Sequence, residues 1–172
     1  MKKLLILFVI ILVSACSSSG KKPADKMYYR FPENNLEPIN KNITVKRPTA
    51  MGILGNRPMV AQTNDAALIQ MSSNFWLESP KILLQAYLDK IFQSNSDHDV
   101  YTLNSHILAL EKKQDEALLS IKFTLTDNNK ETVVEKTYKS QAHLSNNTIA
   151  SFSNAIAKML KEMIQELSKD VL

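Results

Sequence analysis

The sequence is poor in two residue types that often reveal a fold or a reaction. Cysteine occurs once in 172 residues, so no disulfide can form within one chain, and stability has to come from apolar burial. Glycine occurs three times, and none of the three stands in a G-x-G-x-x-G or G-x-x-x-x-G-K pattern. The sequence therefore gives no support for a glycine-rich phosphate-binding loop.

The chain also lacks a strong charge imbalance and a long apolar run. Its formal net charge is +4, and Lys2 and Lys3 supply two of these positive charges. The rest of the chain is close to neutral, which predicts no nucleic-acid partner. The apolar stretch at residues 4–13 is about half as long as a bilayer-spanning helix has to be. It is therefore not expected to form a stable transmembrane helix.

This apolar stretch fits an N-terminal leader instead. Met1-Lys2-Lys3 is a charged n-region, residues 4–12 form an apolar h-region, and Val13-Ser14-Ala15-Cys16 is a small-residue cleavage site. The last four residues resemble the lipobox of bacterial lipoproteins. The resemblance implies cleavage between Ala15 and Cys16 and attachment of diacylglycerol and acyl chains to Cys16, with no other cofactor. The alternative is an ordinary signal peptide with an incidental cysteine.

Residues 16–26 are predicted to form a lipidated, flexible tether. They are mostly small and polar and show no apolar period. Ten extended residues span roughly 35 Å, so the folded part can stand away from the membrane that holds the lipid. In enterobacterial lipoproteins an aspartate after the cysteine favours the inner membrane. Ser17 therefore implies the inner leaflet of the outer membrane, with the folded part facing the periplasm.

Residues 27–172 are predicted to form a single domain. Its first half contains short stretches of strand character at residues 27–31, 43–46, 59–63 and 67–71. Residues 51–57 between them are expected to form a loop. Ser79 suits an N-cap and Pro80 suits the first helical position, so a helix should begin there. Its apolar stripe is predicted at Leu83, Ala86, Tyr87 and Ile91, widened by Leu84 and Leu88.

The second half is predicted to contain a strand at residues 105–110, then a hairpin and a long helix. One strand of the hairpin has an apolar face made of Ala117, Leu119, Ile121, Phe123 and Leu125. A two-residue turn at Asn128 and Asn129 sets the register of this hairpin. The cross-strand pairs that this turn predicts are Phe123–Val134, Leu119–Tyr138 and Lys122–Glu135.

The last helix, at residues 148–169, has a sustained apolar stripe at helical spacing. Its polar face mixes lysines with acidic residues, so it is expected to pack on the sheet and not on a membrane surface. The fold class predicted from these elements is α+β. It should consist of a single antiparallel or mixed sheet of about five to seven strands, with two main α-helices packed on one face.

Three residues are candidates for contact with a partner or a lipid. Phe75 and Trp76 lie shortly before the first helix, and Met51 opens the predicted loop. The main interpretation of Trp76, the only tryptophan, is a core residue that packs a strand against a helix. A surface contact is the alternative for this residue.

Few residues suggest catalysis or metal binding. Asp97-His98-Asp99 places two carboxylates beside one imidazole, but no further ligand lies at a useful spacing. No serine stands in a G-x-S-x-G elbow. We therefore predict neither an enzyme nor a metal site.

The order of these segments resembles the ABC-type transport auxiliary lipoprotein family, and within it the paraquat-inducible protein C-like lipoproteins. The segments that carry the resemblance are Tyr29-Arg30-Phe31-Pro32 after the tether, residues 43–46, residues 61–71, and Trp76 followed by Ser79-Pro80 and a leucine-rich helix. The resemblance covers nearly the whole chain after Cys16, and it depends on order and spacing instead of one decisive motif. The loop at residues 51–58 and the charged strand at residues 132–139 are less typical of the family.

This resemblance implies a non-catalytic docking subunit of a transporter with mammalian-cell-entry (MCE) domains, which carries lipids between the inner and outer membranes. It also implies homo-oligomers, including rings that dock onto the end of an MCE tube. Two other functions stay open. One is an outer-membrane assembly scaffold similar to the lipopolysaccharide-assembly lipoprotein, and the other, with less support, is an envelope hydrolase.

Overall fold

The computed structural model describes residues 24–31, 38, 42–92 and 101–171. These residues form one mixed sheet of eight strands, two α-helices and a short 3-10 turn, which confirms the α+β class. The sheet has one strand more than the upper end of the predicted range. The additional strand is Thr49–Ala50, which directly follows Pro48 and is too short to produce a recognisable alternation.

The strands in chain order are β1 (Met27–Tyr29), β2 (Ile43–Val45), β3 (Thr49–Ala50), β4 (Pro58–Gln62), β5 (Leu68–Trp76), β6 (Tyr101–Lys113), β7 (Glu116–Asp127) and β8 (Thr132–His143). The helices are α1 (Pro80–Ile91) and α2 (Ile149–Val171), and the 3-10 turn is Gly52–Gly55.

The sheet has a long antiparallel half and a short mixed half. Strands β6, β7 and β8 pair antiparallel, β4 pairs parallel with β6 and antiparallel with β5, and β1 pairs parallel with β5. Strands β2, β3 and β4 follow one another along the same edge of β6, so they act as one interrupted strand. The 3-10 turn lies in that interruption, between the pairs Ala50–Ile107 and Val60–Glu111.

Both helices pack on one face of the sheet. Leu84 of α1 and Leu160 of α2 line the same small internal space as Ile107 and Ile121 of the sheet. The apolar stripe predicted for α2 is buried, including Phe152 with an exposed fraction of 0%. The sheet and the two helices therefore enclose one core between them.

Helix α1 begins as predicted but is rotated relative to its predicted stripe. Ser79 is the N-cap residue and Pro80 the first helical residue. The buried residues of α1 are Pro80, Leu84, Leu88 and Ile91, whereas Ala86 is exposed. A leucine side chain removes more apolar area from water than an alanine side chain does, so the leucine row turns toward the sheet.

The hairpin of β7 and β8 is shifted by two residues from the predicted register. Phe123 pairs with Lys136 instead of Val134. One residue of the shift comes from a three-residue turn at 128–130, in which Lys130 takes a positive φ of 66°. The other comes from an irregularity between Leu125 and Thr126, where Thr126 pairs with Thr132 but Leu125 pairs with Val134. The Asp127 carboxylate stabilises this turn by accepting hydrogen bonds from two backbone N–H groups at 2.9 Å.

A shift by two residues keeps every side chain on its predicted face. The predicted apolar face of β7 is therefore buried, and Phe123 packs edge-on against Tyr138 with ring centroids 5.8 Å apart. Lys122 and Glu135 form an ion pair of 2.8 Å across the diagonal of the ladder and not directly opposite each other. The predicted cross-strand pairs of β7 and β8 were wrong, but the predicted faces of their side chains were correct.

Candidate functional site

The face of the sheet opposite the helices holds an open cleft of about 620 Å³. We call it the open-face cleft. Its lining is mainly apolar and comes from β6, β7, β8 and Met51. The lining residues are Met51, Leu108, Ala109, Leu118, Leu119, Ser120, Lys139, Ser140 and Gln141. An exposed apolar concavity of this size is a candidate site for a partner or a ligand.

Met51, one of the three predicted contact residues, lies at this cleft and is 56% exposed. Its backbone N–H donates a hydrogen bond of 2.9 Å to the carbonyl of Ile107. The pairing of β6 with β7 shifts just after Ile107, and this irregularity brings both Leu108 and Ala109 to the cleft. A flexible thioether above such a surface can adapt its shape to what binds there.

Two glycines shape the turn that follows Met51. Gly52 has a φ of +50°, in the left-handed region that side chains rarely adopt. A Cβ atom on Gly55 would lie 3.1 Å from the Cβ of Ala50 and 3.1 Å from the Cε of Lys81. Both glycines are therefore needed for the chain to leave the edge of β6 and return to it.

Two buried polar groups lie on the open face. The Ser120 hydroxyl at the cleft is buried and has no hydrogen-bond partner among the residues that the structure describes. Glu111, which pairs with Leu118 of the cleft, is 7% exposed. Burial raises the pKa of Glu111 above its ordinary value, and the charge of Lys113 partly opposes this shift. The open face therefore contains polar groups that water reaches poorly.

Phe75, the second predicted contact residue, belongs to an aromatic pair at the β1 and β5 edge of the sheet. Its ring centroid lies 5.5 Å from that of Tyr28, which is 50% exposed. The Lys26 ammonium lies 5.6 Å from the centre of the Phe75 ring, and the Arg57 guanidinium lies 5.2 Å from the centre of the Tyr28 ring. We call these four side chains the aromatic patch.

Trp76, the third predicted contact residue, is a core residue with an exposed fraction of 1%. Its ring lies 5.1 Å from the ring of Phe31 and 5.9 Å from that of Phe152 in α2. Neighbouring side chains of a strand point to opposite faces, so Phe75 and Trp76 cannot share one surface. The core interpretation of Trp76 is confirmed, and its proposed surface contact was wrong.

The predicted residues of the leader and the tether lie outside the described part of the chain. This applies to Ala15 and Cys16 at the cleavage site and to Ser17 at the sorting position. The Asp97-His98-Asp99 segment also lies outside it. Cleavage, lipidation and sorting therefore stay predictions.

The other histidines have local polar neighbours. Nδ1 of His106 lies 2.7 Å from Oγ1 of Thr49, and Nε2 of His143 lies 3.4 Å from the Asp115 carboxylate. Across residues 24–31, 38, 42–92 and 101–171, no three metal-ligating side chains come together in a group that could hold an ion. Among the helices of these residues, none has the length and apolar character needed to cross a bilayer.

Tyr28 and Leu118 are site residues that the sequence analysis missed. Leu118 interrupts the polar positions of β7, and that interruption was a usable signal for an apolar spot on the open face. Tyr28 and Tyr29 are adjacent in a strand, so one of them had to face away from the core. The position of Met51 at the cleft had no local signal, because Met51 reaches it only through the pairing of β3 with β6.

Solved structures with a similar fold are the only matches that comparison with known proteins gives. No family model matches the sequence, and no curated relative matches it either. Among solved structures, an uncharacterized protein superposes with a TM-score of 0.70 at 14% identity, covering 86% of this chain and 99% of its own. A Xanthomonas campestris protein assigned to the family model DUF330 superposes with a TM-score of 0.66 at 16% identity, covering 82% of this chain and 92% of its own. At such identities the likeness extends to the fold alone.

Proposed function

We propose that this chain is a lipoprotein of the outer membrane that acts as a non-catalytic docking subunit of an MCE-type lipid-transport system. The proposal depends on the combination of a lipidation sequence with a folded domain that has one uncovered sheet face. The lipobox-like Val13-Ser14-Ala15-Cys16 precedes a folded domain whose sheet is covered by helices on one face and offers an apolar cleft of about 620 Å³ on the other. The family resemblance in the sequence supplies the transport system.

The composition of the open-face cleft supports a docking function. Met51, Leu108 and Leu118 provide apolar surface, while Lys139 and Gln141 provide polar groups beside it. Protein interfaces commonly have this composition, with an apolar centre, a polar rim and an enrichment in methionine. The partner in this proposal is an MCE-domain protein, and no nucleic acid takes part.

A second copy of the chain is also a partner in this proposal. In the described part of the chain, the twelve-residue strand β8 pairs with β7 on one side and with no strand on the other. An exposed strand edge offers backbone donors and acceptors to another chain. This edge supports a homo-oligomer, and a ring is one arrangement of it.

The anchor in this proposal is Cys16 with its acyl chains. Each buried CH₂ contributes about 0.8 kcal/mol, and stable anchoring takes at least two signals, so three chains hold a protein stably at the bilayer. Ser17 directs the chain to the inner leaflet of the outer membrane. The folded domain then faces the periplasm.

The anchor is tested by intact mass spectrometry and membrane fractionation. The mature chain should begin at Cys16 and carry the mass of its acyl chains. Cys16→Ala should leave an uncleaved precursor or a mislocalised protein, and Ser17→Asp should move the protein to the inner membrane of an enterobacterial host. An unmodified Cys16, or an unaltered protein already at the inner membrane, contradicts the corresponding step.

Docking is tested by cross-linking in cells followed by purification of the chain. An MCE-domain protein should be recovered with the wild-type chain, and Met51→Asp should reduce its recovery by about tenfold or more, because a charge enters the apolar part of the cleft. The matched control is Ile82→Asp on α1, an exposed apolar side chain of 43% exposure that does not line the cleft. Recovery of a large β-barrel instead of an MCE protein would favour the assembly-scaffold alternative.

A further inference from the structure

The aromatic patch leaves apolar surface open to solvent. The rings of Tyr28 and Phe75 lie 5.5 Å apart at a tilt of 35° on the side of the sheet away from the helices, while the next residue, Trp76, fills the core. Tyr28 is 50% exposed, Phe75 is half-buried and Arg57 is exposed. Large side chains exposed together at one edge indicate a contact surface.

The two cations of the patch point to the kind of surface that it contacts. The Lys26 ammonium and the Arg57 guanidinium both lie over aromatic rings, at 5.6 and 5.2 Å from the ring centres. In the described part of the chain neither cation forms an ion pair, although Asp25 directly precedes Lys26. Arg57 uses its Nε–H for a hydrogen bond of 3.4 Å to the carbonyl of Trp76.

Aromatic rings with cations beside them suit the boundary between lipid headgroups and acyl chains. Tyrosine and phenylalanine rings enter the interfacial region, while lysine and arginine reach the phosphates of anionic lipids. The alternatives fit less well, because lysine is depleted at the centre of protein interfaces. A two-fold contact with a second copy would also bring Lys26 and Arg57 close to their own counterparts.

The position of the patch in the chain points to the same occupant. Lys26 lies ten residues after Cys16, and an extended segment of that length spans at most roughly 35 Å. A chain anchored at Cys16 therefore holds the patch within reach of the bilayer at high effective concentration.

We propose that the aromatic patch of Lys26, Tyr28, Arg57 and Phe75 binds the surface of an anionic phospholipid membrane. The folded domain then rests on the membrane through this edge of the sheet. The proposal rests on the proposed function only in taking Cys16 as the anchor that brings the patch to the bilayer.

The test uses a chain that starts at Ser17 and carries no acyl group. The buried core residues of the described structure lie between Ile43 and Leu167, so this chain keeps the whole core. It is sedimented with vesicles of phosphatidylethanolamine and phosphatidylglycerol, and in parallel with vesicles of phosphatidylcholine. We expect binding to the anionic vesicles that weakens with salt, and little binding to the neutral ones.

The variants separate charge from aromatic contact. Replacing Lys26 and Arg57 by Gln should weaken binding by about thirtyfold, since each basic residue near an anionic surface contributes roughly a factor of five. Phe75→Ser should weaken binding to anionic vesicles as well. The matched control replaces Lys130 by Gln and Val133 by Ser at the opposite edge, where both residues are exposed, and it should change binding by less than about twofold.

Three results would overturn the proposal: equal binding to neutral and anionic vesicles, an equal loss in the control, or light scattering showing that the patch variants abolish a dimer. The unfolding midpoint of each variant is measured to check that the variant folds. The replaced cations lie on the surface, so their substitution should leave the midpoint nearly unchanged. The result is independent of the anchor. Acylation of Cys16 with no vesicle binding by the Ser17 chain removes this inference alone, whereas vesicle binding with an unmodified Cys16 removes the lipoprotein proposal alone.

Discussion

The two faces of the sheet differ in how completely they are covered. On the helix-covered face, the internal space between Leu84, Ile121 and Leu160 amounts to about 10 Å³. A groove of about 430 Å³ is left on this side at the edge, where Tyr138 of β8 meets Met163 of α2. On the open face, the cleft beside Leu118 amounts to about 620 Å³. The same strand β7 supplies side chains to both, so the difference comes from what packs on each face. The covered face holds the fold together, and the open face is available for contacts.

Truncation of an apolar side chain on each face tests this difference, and its expected effect on the free energy of unfolding is the largest predicted here. Phe123→Ala on the covered face should lower the free energy of unfolding by about 3–5 kcal/mol, because the ring is fully buried and leaves a cavity. Met51→Ala on the open face should change it by about 0.5 kcal/mol or less, because that side chain is 56% exposed. Urea unfolding monitored by the fluorescence of Trp76 measures both.

The same pair of variants is then compared in partner recovery. Met51→Ala should weaken docking while the chain stays folded, whereas Phe123→Ala should lose docking only in proportion to its unfolded fraction. Equal losses of stability in the two variants would contradict the assignment of stability to the covered face and of contacts to the open face. An open-face residue would then be part of the core.

The difference between the covered face and the open face also explains how much could be predicted from the sequence. The covered face follows from local periodicity, since Ala117 to Leu125 alternate with period two and the α2 stripe repeats at helical spacing. The α+β class followed from such patterns. The register of β7 and β8 did not, because it depends on whether the turn at Asp127 uses two or three residues and on the irregularity between Leu125 and Thr126.

The candidate site was harder to predict because it is assembled from distant segments. Met51 was identified from its place in a loop, but its position at the cleft depends on the pairing of Ala50 with Ile107. Strand β5 was expected to end at Met71, since the polar residues after it obscure the alternation that continues to Trp76. Without that continuation, Phe75 and Trp76 could not be assigned to opposite faces.

A smaller effect compares two buried hydroxyl groups that lack hydrogen-bond partners. Ser105 pairs with Phe123 on the covered face, and Ser120 lies at the open-face cleft. Ser105→Ala should raise the free energy of unfolding by about 1 kcal/mol, because a buried hydroxyl without a partner carries a desolvation cost. Ser120→Ala should raise it by less, because solvent in the cleft lies nearby. Thermal unfolding of both variants measures the difference, and a larger gain at Ser120 would mean that the open face is the drier one.

The smallest effect compares the charged contacts at the rims of the two faces. On the covered side, Asp170 accepts a hydrogen bond from the Tyr138 hydroxyl and contacts the Lys136 ammonium at 2.9 Å. These two contacts, with the hydroxyl contributing most, hold the pKa of Asp170 below its ordinary value of 3.8. On the open side, Glu135 contacts Lys122 at 2.8 Å, with side chains 53% and 39% exposed.

A carboxylate whose native pKa is lowered stabilises the fold above its unfolded pKa, and this contribution is lost as the pH falls through the native value. Asp170→Asn should therefore lower stability near neutral pH, and the difference from the wild type should disappear on acidification below 3.8. Glu135→Gln is the matched control, and it should change stability by about 0.5 kcal/mol or less, as expected for an exposed pair. Thermal unfolding as a function of pH measures both variants. A pH-independent effect of Asp170→Asn would show that the side chain acts through packing at the end of α2 and not through its charge.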